Sequence, residues 1–133
     1  LELGYRTSAL ERRGLFAVRA AFSLTTGDPG AIREKMEELA AKRKEKQPLE
    51  YPSAGSTFKR PEGYFAGKLI EDAGLKGFSV GGAAVSEKHA GFVINKDHGT
   101  AADILELCNE VKRRVKENSG VDLEMEVKLL GDF

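Results

Sequence analysis

A short loop, residues 51–61, carries the residue types best suited to chemistry. It reads Tyr-Pro-Ser-Ala-Gly-Ser-Thr-Phe-Lys-Arg-Pro, and a proline near each end keeps it out of regular helix. Gly55 lacks a Cβ directly before Ser56, which permits a sharp turn or the close approach of a ligand. Lys59 and Arg60 follow the hydroxyl, and this combination suits a phosphorylated ligand with a reacting centre nearby. An ordinary surface turn is the alternative explanation of a Gly-Ser pair.

Two charged residues join this loop only if the fold brings them to it. Arg6 lies near the chain start and Glu126 on the polar side of the last predicted strand, and each is explained equally well as a solvated surface charge. The two histidines, His89 and His98, and the absence of a Cys-x-x-Cys sequence predict no metal site. The residues alone therefore indicate an anion-binding domain that offers a hydroxyl, an arginine and a carboxylate.

Composition narrows the class of protein. The 133 residues, 41% of them hydrophobic, suffice for one ordinary domain. Lys plus Arg number 21 and Asp plus Glu number 21, and a neutral chain argues against nucleic-acid binding. The single cysteine indicates a reducing compartment. The sequence contains neither an apolar run of about 18 residues nor a signal-peptide core, so we expect no membrane association and a cytoplasmic location.

The first elements are predicted to be a hairpin and a long helix. Period-two alternation over residues 15–24 predicts a strand that pairs with the preceding segment, on which Arg6 lies. Asp28 as N-cap and Pro29 at the first helical position then predict a helix to about Lys46. Its predicted inward stripe consists of Ile32, Met36, Leu39 and Ala40.

Two more helices and three strands follow the loop. A helix is predicted over residues 64–73, a glycine-interrupted strand over 77–85 and another strand over 92–95. Thr100 and Asp103 then predict a capped helix that ends at Gly120, in which Cys108 faces the core as a packing residue. The inward residues of these helices are predicted to be Phe65, Ala66, Leu69, Ile70, Ile104, Cys108, Val111 and Val115.

The last predicted strand, residues 121–129, alternates apolar and charged side chains. The complete order is two strands, a helix, the loop, a helix, two strands, a helix and a strand. This order predicts an α+β fold in which helices pack on one face of a mainly antiparallel sheet.

The loop and several later blocks resemble one enzyme family. Residues 51–61 closely resemble the signature of UDP-N-acetylenolpyruvoylglucosamine reductase, also called UDP-N-acetylmuramate dehydrogenase, and Lys-Arg-Pro at the end resembles its second, shorter type. The resemblance continues in order through residues 65–71, 74–77, 81–86, 88–95 and 123–127. Upstream, Gly4-Tyr5-Arg6-Thr7-Ser8 resembles the segment that ends the family's flavin domain.

The resemblance also implies how the chain is divided. The family's flavin-binding region precedes Gly4-Tyr5-Arg6, and this chain begins at Leu1 rather than Met. We therefore expect residues 1–25 to be the last hairpin of the flavin domain and residues 26–133 to be the C-terminal substrate-binding domain. FAD and NADPH are expected cofactors of the full-length enzyme and are not expected to bind this fragment, whose partner would be the missing flavin domain.

The activity implied by the resemblance is reduction of the enolpyruvyl ether of UDP-N-acetylglucosamine to UDP-N-acetylmuramate, a step in peptidoglycan precursor synthesis. By resemblance, Arg6 and Glu126 flank and stabilise the enol or enolate, and Ser56 supplies the proton at the α-carbon. The implied substrate-binding residues are Tyr51, Lys59, Arg60 and His89. The alternative is a non-catalytic module that binds a sugar nucleotide or a protein partner through the loop.

Overall fold

The computed structural model describes residues 1–131 of the chain. Contacts between residues divide the chain into two units, Leu1–Lys35 and a second unit that begins at Met36. The boundary lies inside a helix, α2, which spans Pro29–Lys46.

The first unit begins with a short helix, α1 (Ala9–Arg12). Ser8 caps it, because the Ser8 hydroxyl accepts a hydrogen bond from the Glu11 N–H at 3.3 Å. The carboxylate of Glu2 pairs with Arg12 and, at 3.2 Å, with Arg13. This helix occupies part of the segment in which the sequence predicted only a polar turn.

The predicted strand over residues 15–24 is wrong: within the described chain this segment belongs to neither a helix nor a strand. Its large apolar side chains face solvent, with Phe16 92% and Val18 97% exposed. An alternating sequence specifies which side chains share a face, but a strand also needs hydrogen bonds to a neighbouring strand. In the preceding segment the structure records only an isolated bridge, between Gly4 and Thr7, so the predicted hairpin does not form.

Helix α2 has the predicted ends but not the predicted packing. Asp28 is its cap, since the Asp28 carboxylate accepts the Ala31 N–H at 2.7 Å. Every residue from Pro29 to Lys46 is exposed. The apolar stripe therefore does not face a core: Ile32 is 51%, Met36 66% and Leu39 53% exposed.

The second unit contains a four-stranded sheet in which every neighbouring pair is antiparallel. Its strands are β1 (Ser53–Ser56), β2 (Ser79–Val80), β3 (Ala83–Val85) and β4 (Phe92–Asn95), in the order β1-β4-β3-β2. Two helices accompany it, α3 (Ala66–Asp72) and α4 (Ala101–Ser119). The predicted α+β fold with a mainly antiparallel sheet is confirmed.

The two faces of the sheet have different roles. Ala83, Val85 and Val93 pack with the buried side chains of α3 and α4 in the main core. Alternate residues of the same strands, Ala84, Phe92 and Ile94, form a separate buried cluster. Because side chains alternate along a strand, this cluster marks the opposite face, which we call the second face.

The structure corrects the prediction of one strand over residues 77–85. A two-residue turn, Gly81-Gly82, separates β2 from β3, which pair with each other as a hairpin. Gly81 has a φ of +51°, a conformation that glycine adopts without a steric penalty. Gly81 and Gly82, which the sequence pattern places inside one strand, therefore form the turn between two strands.

The last predicted strand is only partly realised. Met125 forms an isolated antiparallel bridge with Phe58, flanked by two backbone hydrogen bonds of 2.8 Å, from Lys59 N–H to the Glu124 carbonyl and from Glu126 N–H to the Thr57 carbonyl. The predicted alternation holds where the segment meets the core, since Leu123 is buried and Met125 packs against it.

Helix α4 follows the sequence prediction closely. Thr100 and Asp103 form a reciprocal capping box, with Asp103 N–H to the Thr100 hydroxyl at 3.1 Å and Thr100 N–H to the Asp103 carboxylate at 2.8 Å. Gly120 ends the helix in the left-handed conformation. Among the described residues, the helices are all too short or too polar to cross a bilayer.

Candidate functional site

Ser56 lies at the end of β1 with an exposed side chain. Its cross-strand partner is Phe92, a member of the second-face cluster. Partners in an antiparallel pair share a face, so the register places Ser56 on the second face. The β1–β4 register shifts between Ser53 and Ser56, where Gly55 has a φ of +86°. This irregularity bends the strand immediately before the hydroxyl.

Thr57 connects three segments next to Ser56. Its N–H donates to the Gly91 carbonyl at 2.9 Å, its hydroxyl accepts the Val93 N–H at 2.9 Å, and its carbonyl accepts the Glu126 N–H at 2.8 Å. Thr57 is buried, so these bonds are shielded from competing water. The backbone of Glu126 is thereby fixed beside Thr57, the residue that follows Ser56 in the chain.

Glu126 is half-buried, and one of its carboxylate oxygens, Oε2, is shielded from solvent. Its neighbours Met125 and Val127 line a cavity of about 310 Å³ beside α4. Alternation along the extended segment therefore directs the Glu126 side chain away from the main core, against which Met125 packs. The backbone of Glu126 thus lies beside Thr57, the residue that follows Ser56, although Glu126 and Ser56 are 70 residues apart in sequence.

Lys59 and Arg60 have different partners. Lys59 forms an ion pair with Glu124, directly across from it in the bridge that Phe58 makes with Met125. Arg60 donates from Nε to the Tyr64 carbonyl at 3.2 Å, and its guanidinium carbon lies 3.9 Å from the centre of the Phe65 ring. The carboxylate of Glu124 therefore balances much of the charge of Lys59. The carbonyl and the aromatic ring that contact Arg60 carry no net charge, so they do not balance the charge of its guanidinium.

His89 is held in one orientation by its neighbours. Its Nδ1 accepts the Gly91 N–H at 3.1 Å, so the proton of the neutral ring lies on Nε2. The ring packs edge-on against Phe92, with 4.9 Å between centroids. A Cβ at Gly67, in the first turn of α3, would lie 3.4 Å from the ring. The His89 ring thus contacts both a second-face residue and the start of α3, close to where Arg60 is held.

Tyr51 borders a cleft of about 240 Å³ on the second face. Ala84 and Ile94 contribute to its apolar lining, and Lys88 and Lys96 contribute positive charge. The other residues around the cleft are Glu50, Val85, Ser86 and Glu87.

The carboxylate of Glu50 balances part of that positive charge. A backbone hydrogen bond and, secondarily, the nearby charge of Lys88 lower the pKa of Glu50, so it is ionised at neutral pH. The Lys88 ammonium lies 3.4 Å from the Glu50 carboxylate and 3.0 Å from the Lys44 carbonyl. The cleft therefore combines an apolar floor, a phenol and balanced charges, which suits a polar organic ligand.

Arg6 belongs to the first unit, and the other predicted site residues belong to the second. Its φ is +53°, and its guanidinium carbon lies 5.6 Å from the centre of the Tyr5 ring. The structure thus gathers six of the seven predicted residues in the second unit. These six are Tyr51, Ser56, Lys59, Arg60, His89 and Glu126.

Sequence reasoning missed three contributors to this arrangement. Thr57 lay inside the recognised loop but gave no sign that its hydroxyl would bind Val93, 36 residues away. Glu124 alternates with Glu126 along the predicted strand and so shares a face with it. From this signal the pairing of Glu124 with Lys59 could have been predicted. Phe65 was predicted to face inward, but it is 62% exposed because it precedes the first residue of α3 and lies outside the helical periodicity.

Cys108 is buried in the main core, as the sequence predicted. Burial, opposed by the charge of Lys112, raises the pKa of its thiol to about 11 from an ordinary value of 9.0. The thiolate is therefore scarce at neutral pH, and the residue is unsuited to act as a nucleophile.

This burial predicts a pH-dependent stability. Below pH 9 the thiol is protonated in both states, but between about pH 9 and 11 the unfolded chain loses the proton while the native chain retains it. The free energy of unfolding should fall by about 2–3 kcal/mol across this interval. Urea titrations at pH 8 and pH 10.5 give the free energy of unfolding of the unmodified chain and of Cys108→Ala at each pH. The fall between the two pH values should be larger in the unmodified chain, and the excess measures the contribution of Cys108. Equal pH dependence of the two proteins would contradict the burial effect.

The described residues fit neither a metal ion nor the diphosphate of FAD. Residues 1–131 contain no group of three or more His, Cys, Asp or Glu placed to hold a metal. A flavin diphosphate commonly binds at a helix N-terminus. At α2 and α4 that position is filled by the carboxylates of Asp28 and Asp103, and hydrogen bonds from Thr100 lower the pKa of Asp103. Each carboxylate would repel an incoming anion.

Comparison with known proteins gives one consistent result. Residues 47–130 match the family model described as UDP-N-acetylenolpyruvoylglucosamine reductase, C-terminal domain. Curated proteins named UDP-N-acetylenolpyruvoylglucosamine reductase from Lachnoclostridium phytofermentans and Clostridium beijerinckii are 61% and 60% identical over 132 residues. In both cases the match covers 99% of this chain and 43% of the relative.

A solved structure agrees with the sequence comparisons. The crystal structure of UDP-N-acetylenolpyruvylglucosamine reductase from Thermus caldophilus is similar to this chain with a TM-score of 0.65 and 40% identity. The similarity covers 80% of this chain and 37% of that one. The chain thus spans less than half the length of each of these relatives.

Proposed function

We propose, from the premise that this chain belongs to the UDP-N-acetylenolpyruvoylglucosamine reductase family, that it forms the substrate-binding part of such a reductase. The reaction would convert the enolpyruvyl ether of UDP-N-acetylglucosamine to UDP-N-acetylmuramate in peptidoglycan precursor synthesis. A hydride is added at the β-carbon of the enol ether and a proton at the α-carbon.

The observation that carries the proposal is the placement of Ser56 and Glu126. Thr57 fixes the backbone of Glu126 beside the residue that follows Ser56, and Ser56 itself pairs with Phe92 across the sheet. A hydroxyl beside a partly shielded carboxylate is the pair needed to deliver a proton next to developing negative charge. Arg60 and the cleft beside Tyr51 provide contacts for the nucleotide end on the same unit.

We assign the residues of this chain the following roles. Ser56 donates its proton to the α-carbon, and its position compensates for a hydroxyl's weak acidity. Glu126 lies beside the carboxylate of the substrate, where a second carboxyl group is tolerated only if protonated or paired with a cation; Arg6 is the expected cation. Arg6 and Glu126 together stabilise the electron density that the α-carbon passes into the carboxylate as an enolate.

FAD and NADPH enter the proposal through the part of the longer relatives that this chain does not span. Bound there, these cofactors would supply the hydride that is added at the β-carbon. Since carboxylates at the N-termini of α2 and α4 oppose a diphosphate, we assign the residues of this chain to the substrate only. The protein would act in the cytoplasm, where sugar-nucleotide precursors are made.

The decisive experiment is turnover by the full-length protein. The purified protein should be yellow and should oxidise more than one equivalent of NADPH per protein only when the enolpyruvyl sugar nucleotide is added, with UDP-N-acetylmuramate as the product identified by mass spectrometry. A full-length protein that binds the sugar nucleotide but does not reduce it would instead support the alternative of a non-catalytic binding module.

The 133-residue chain on its own should behave differently. We expect it to bind neither FAD nor NADPH, because the carboxylates of Asp28 and Asp103 occupy the helix N-termini that a diphosphate would need. Titration of FAD fluorescence with the purified chain should show no saturable change, and NADPH absorbance should remain constant. Flavin that co-purified with the chain in a one-to-one ratio would contradict this expectation.

A further inference from the structure

We infer that Phe65 is a positioning residue, whose exposed ring holds the guanidinium of Arg60 toward the diphosphate of the sugar-nucleotide substrate. The inference rests on the proposed function, because it assigns Arg60 to the nucleotide end. The sequence pattern predicted Phe65 to be a core residue, with no part in ligand binding.

Neither burial nor helix capping explains a phenylalanine at this position. Phe65 is 62% exposed, so its ring adds little to the main core. It is also the N-cap of α3, with no side-chain hydrogen bond to the helix, whereas Ser, Thr, Asp or Asn is preferred there. Phenylalanine at this position therefore leaves the helix without a side-chain cap and exposes an aromatic ring to solvent. The ring stacks on the guanidinium of Arg60.

The geometry of that contact fixes the guanidinium plane. The Arg60 guanidinium carbon lies 3.9 Å from the centre of the Phe65 ring, well inside the range of a cation–π interaction. Nε donates to the Tyr64 carbonyl at 3.2 Å, which fixes the rotation of the plane about the side chain. The opposite edge carries Nη1 and Nη2, a fork that matches two phosphate oxygens.

The support for the ring is itself rigid. The Phe65 carbonyl accepts the Leu69 N–H at 3.1 Å, the first hydrogen bond of α3. Ala66, Leu69 and Ile70 anchor that helix in the main core. Gly67, in the same turn, faces the ring of His89, another of the predicted substrate-binding residues.

Charge also distinguishes Arg60 from its neighbour. Lys59 is paired with Glu124. Within residues 1–131, Arg60 pairs with no carboxylate, so stacking rather than an acidic partner holds it in place. An aromatic ring orients a cation without neutralising it, which leaves the full charge for an anionic ligand.

The test is titration of UDP into the full-length protein by calorimetry. Phe65→Leu keeps an apolar side chain but removes the ring, and since Phe65 is exposed the core is not disturbed. We expect its Kd for UDP to rise about 3- to 10-fold. Phe65→Tyr, which restores the ring, should bind within about 2-fold of the unmodified protein. Tyr64→Ala is the matched control: it removes the neighbouring exposed aromatic side chain but keeps the carbonyl that Arg60 uses.

A double mutant separates positioning from other effects. If Phe65 acts through Arg60, Phe65→Leu should have no further effect on UDP affinity in an Arg60→Ala background. In turnover assays Phe65→Leu should raise KM for the substrate and leave kcat unchanged. Additive effects of the two substitutions, equal losses in Tyr64→Ala and Phe65→Leu, or no binding of UDP by the unmodified protein would each overturn the inference.

Failure of this inference differs from failure of the proposed function. A protein that binds UDP in a Phe65-dependent way but does not reduce the enolpyruvyl substrate contradicts the reductase proposal and supports the role of Phe65. An active reductase whose UDP affinity is the same with phenylalanine or leucine at position 65 supports the reductase proposal and refutes the role of Phe65.

Discussion

Replacing Ser56 by alanine in the full-length enzyme is expected to slow reduction of the enolpyruvyl substrate by at least about 100-fold, the lower end for loss of a positioned proton donor. Reduction of the enzyme by NADPH should be nearly unchanged, since the role proposed for Ser56 concerns only the substrate's α-carbon. Substrate affinity should change little, because one hydroxyl contributes only about 1 kcal/mol to ground-state binding. Ser56→Cys should retain more activity, because a thiol is a stronger acid of similar shape.

Stopped-flow absorbance measures the two half-reactions separately. Ser79→Ala is a suitable control, since Ser79 is an exposed serine on β2 of the same sheet. The control should leave both half-reactions unchanged. An unaltered substrate-dependent rate in Ser56→Ala would remove Ser56 from the chemistry and leave the loop as a binding element.

Replacing Gly82 by alanine is expected to lower the free energy of unfolding of the chain by at least about 3 kcal/mol. A Cβ on Gly82 would lie 2.1 Å from the Asp97 carbonyl oxygen and 2.3 Å from the Gly99 nitrogen. Both are backbone atoms, and the Asn95 side chain holds Gly99 with two hydrogen bonds of 2.8 Å. The Gly82 carbonyl also accepts the Lys96 and Asp97 N–H groups, so the clash cannot be relieved without losing hydrogen bonds.

Gly74→Ala provides the matched comparison. Gly74 has a φ of +70°, but a Cβ there would meet no atom within 4 Å. Its substitution should therefore cost only the left-handed strain of about 1–2 kcal/mol. Urea denaturation of both variants, followed by circular dichroism, gives the two values. A loss in Gly82→Ala no larger than that in Gly74→Ala would show that the β4–α4 connection yields more easily than its hydrogen bonds indicate.

Local features of this fold were predictable because their causes are local. The Thr100–Asp103 capping box, the stop at Gly120 and the Asp28 cap each depend on residues within one turn of one another. The same holds for Cys108, whose burial follows from helical periodicity. Features that need a distant partner were not predictable: alternation over residues 15–24 could not show whether another strand lies beside it.

The site follows the same division. The loop identified Ser56, Lys59 and Arg60 by type and spacing, and the resemblance added Glu126. The contacts that orient them cross long stretches of sequence or break a local rule. Lys59 pairs with Glu124, 65 residues away. Arg60 stacks on Phe65, whose place just before α3 made the helical pattern misleading.

The hydrogen bonds of Thr57 have a consequence for motion in the second unit. β1, β4 and the segment around Glu126 meet at this one buried residue through bonds of 2.8–2.9 Å. A fluctuation that pulled Ser56 away from the sheet would expose the amides of Val93 and Glu126 to solvent exchange in the same event. Ser56 and Glu126 are therefore expected to belong to one cooperative unit of opening, so that their backbones are ordered together or released together.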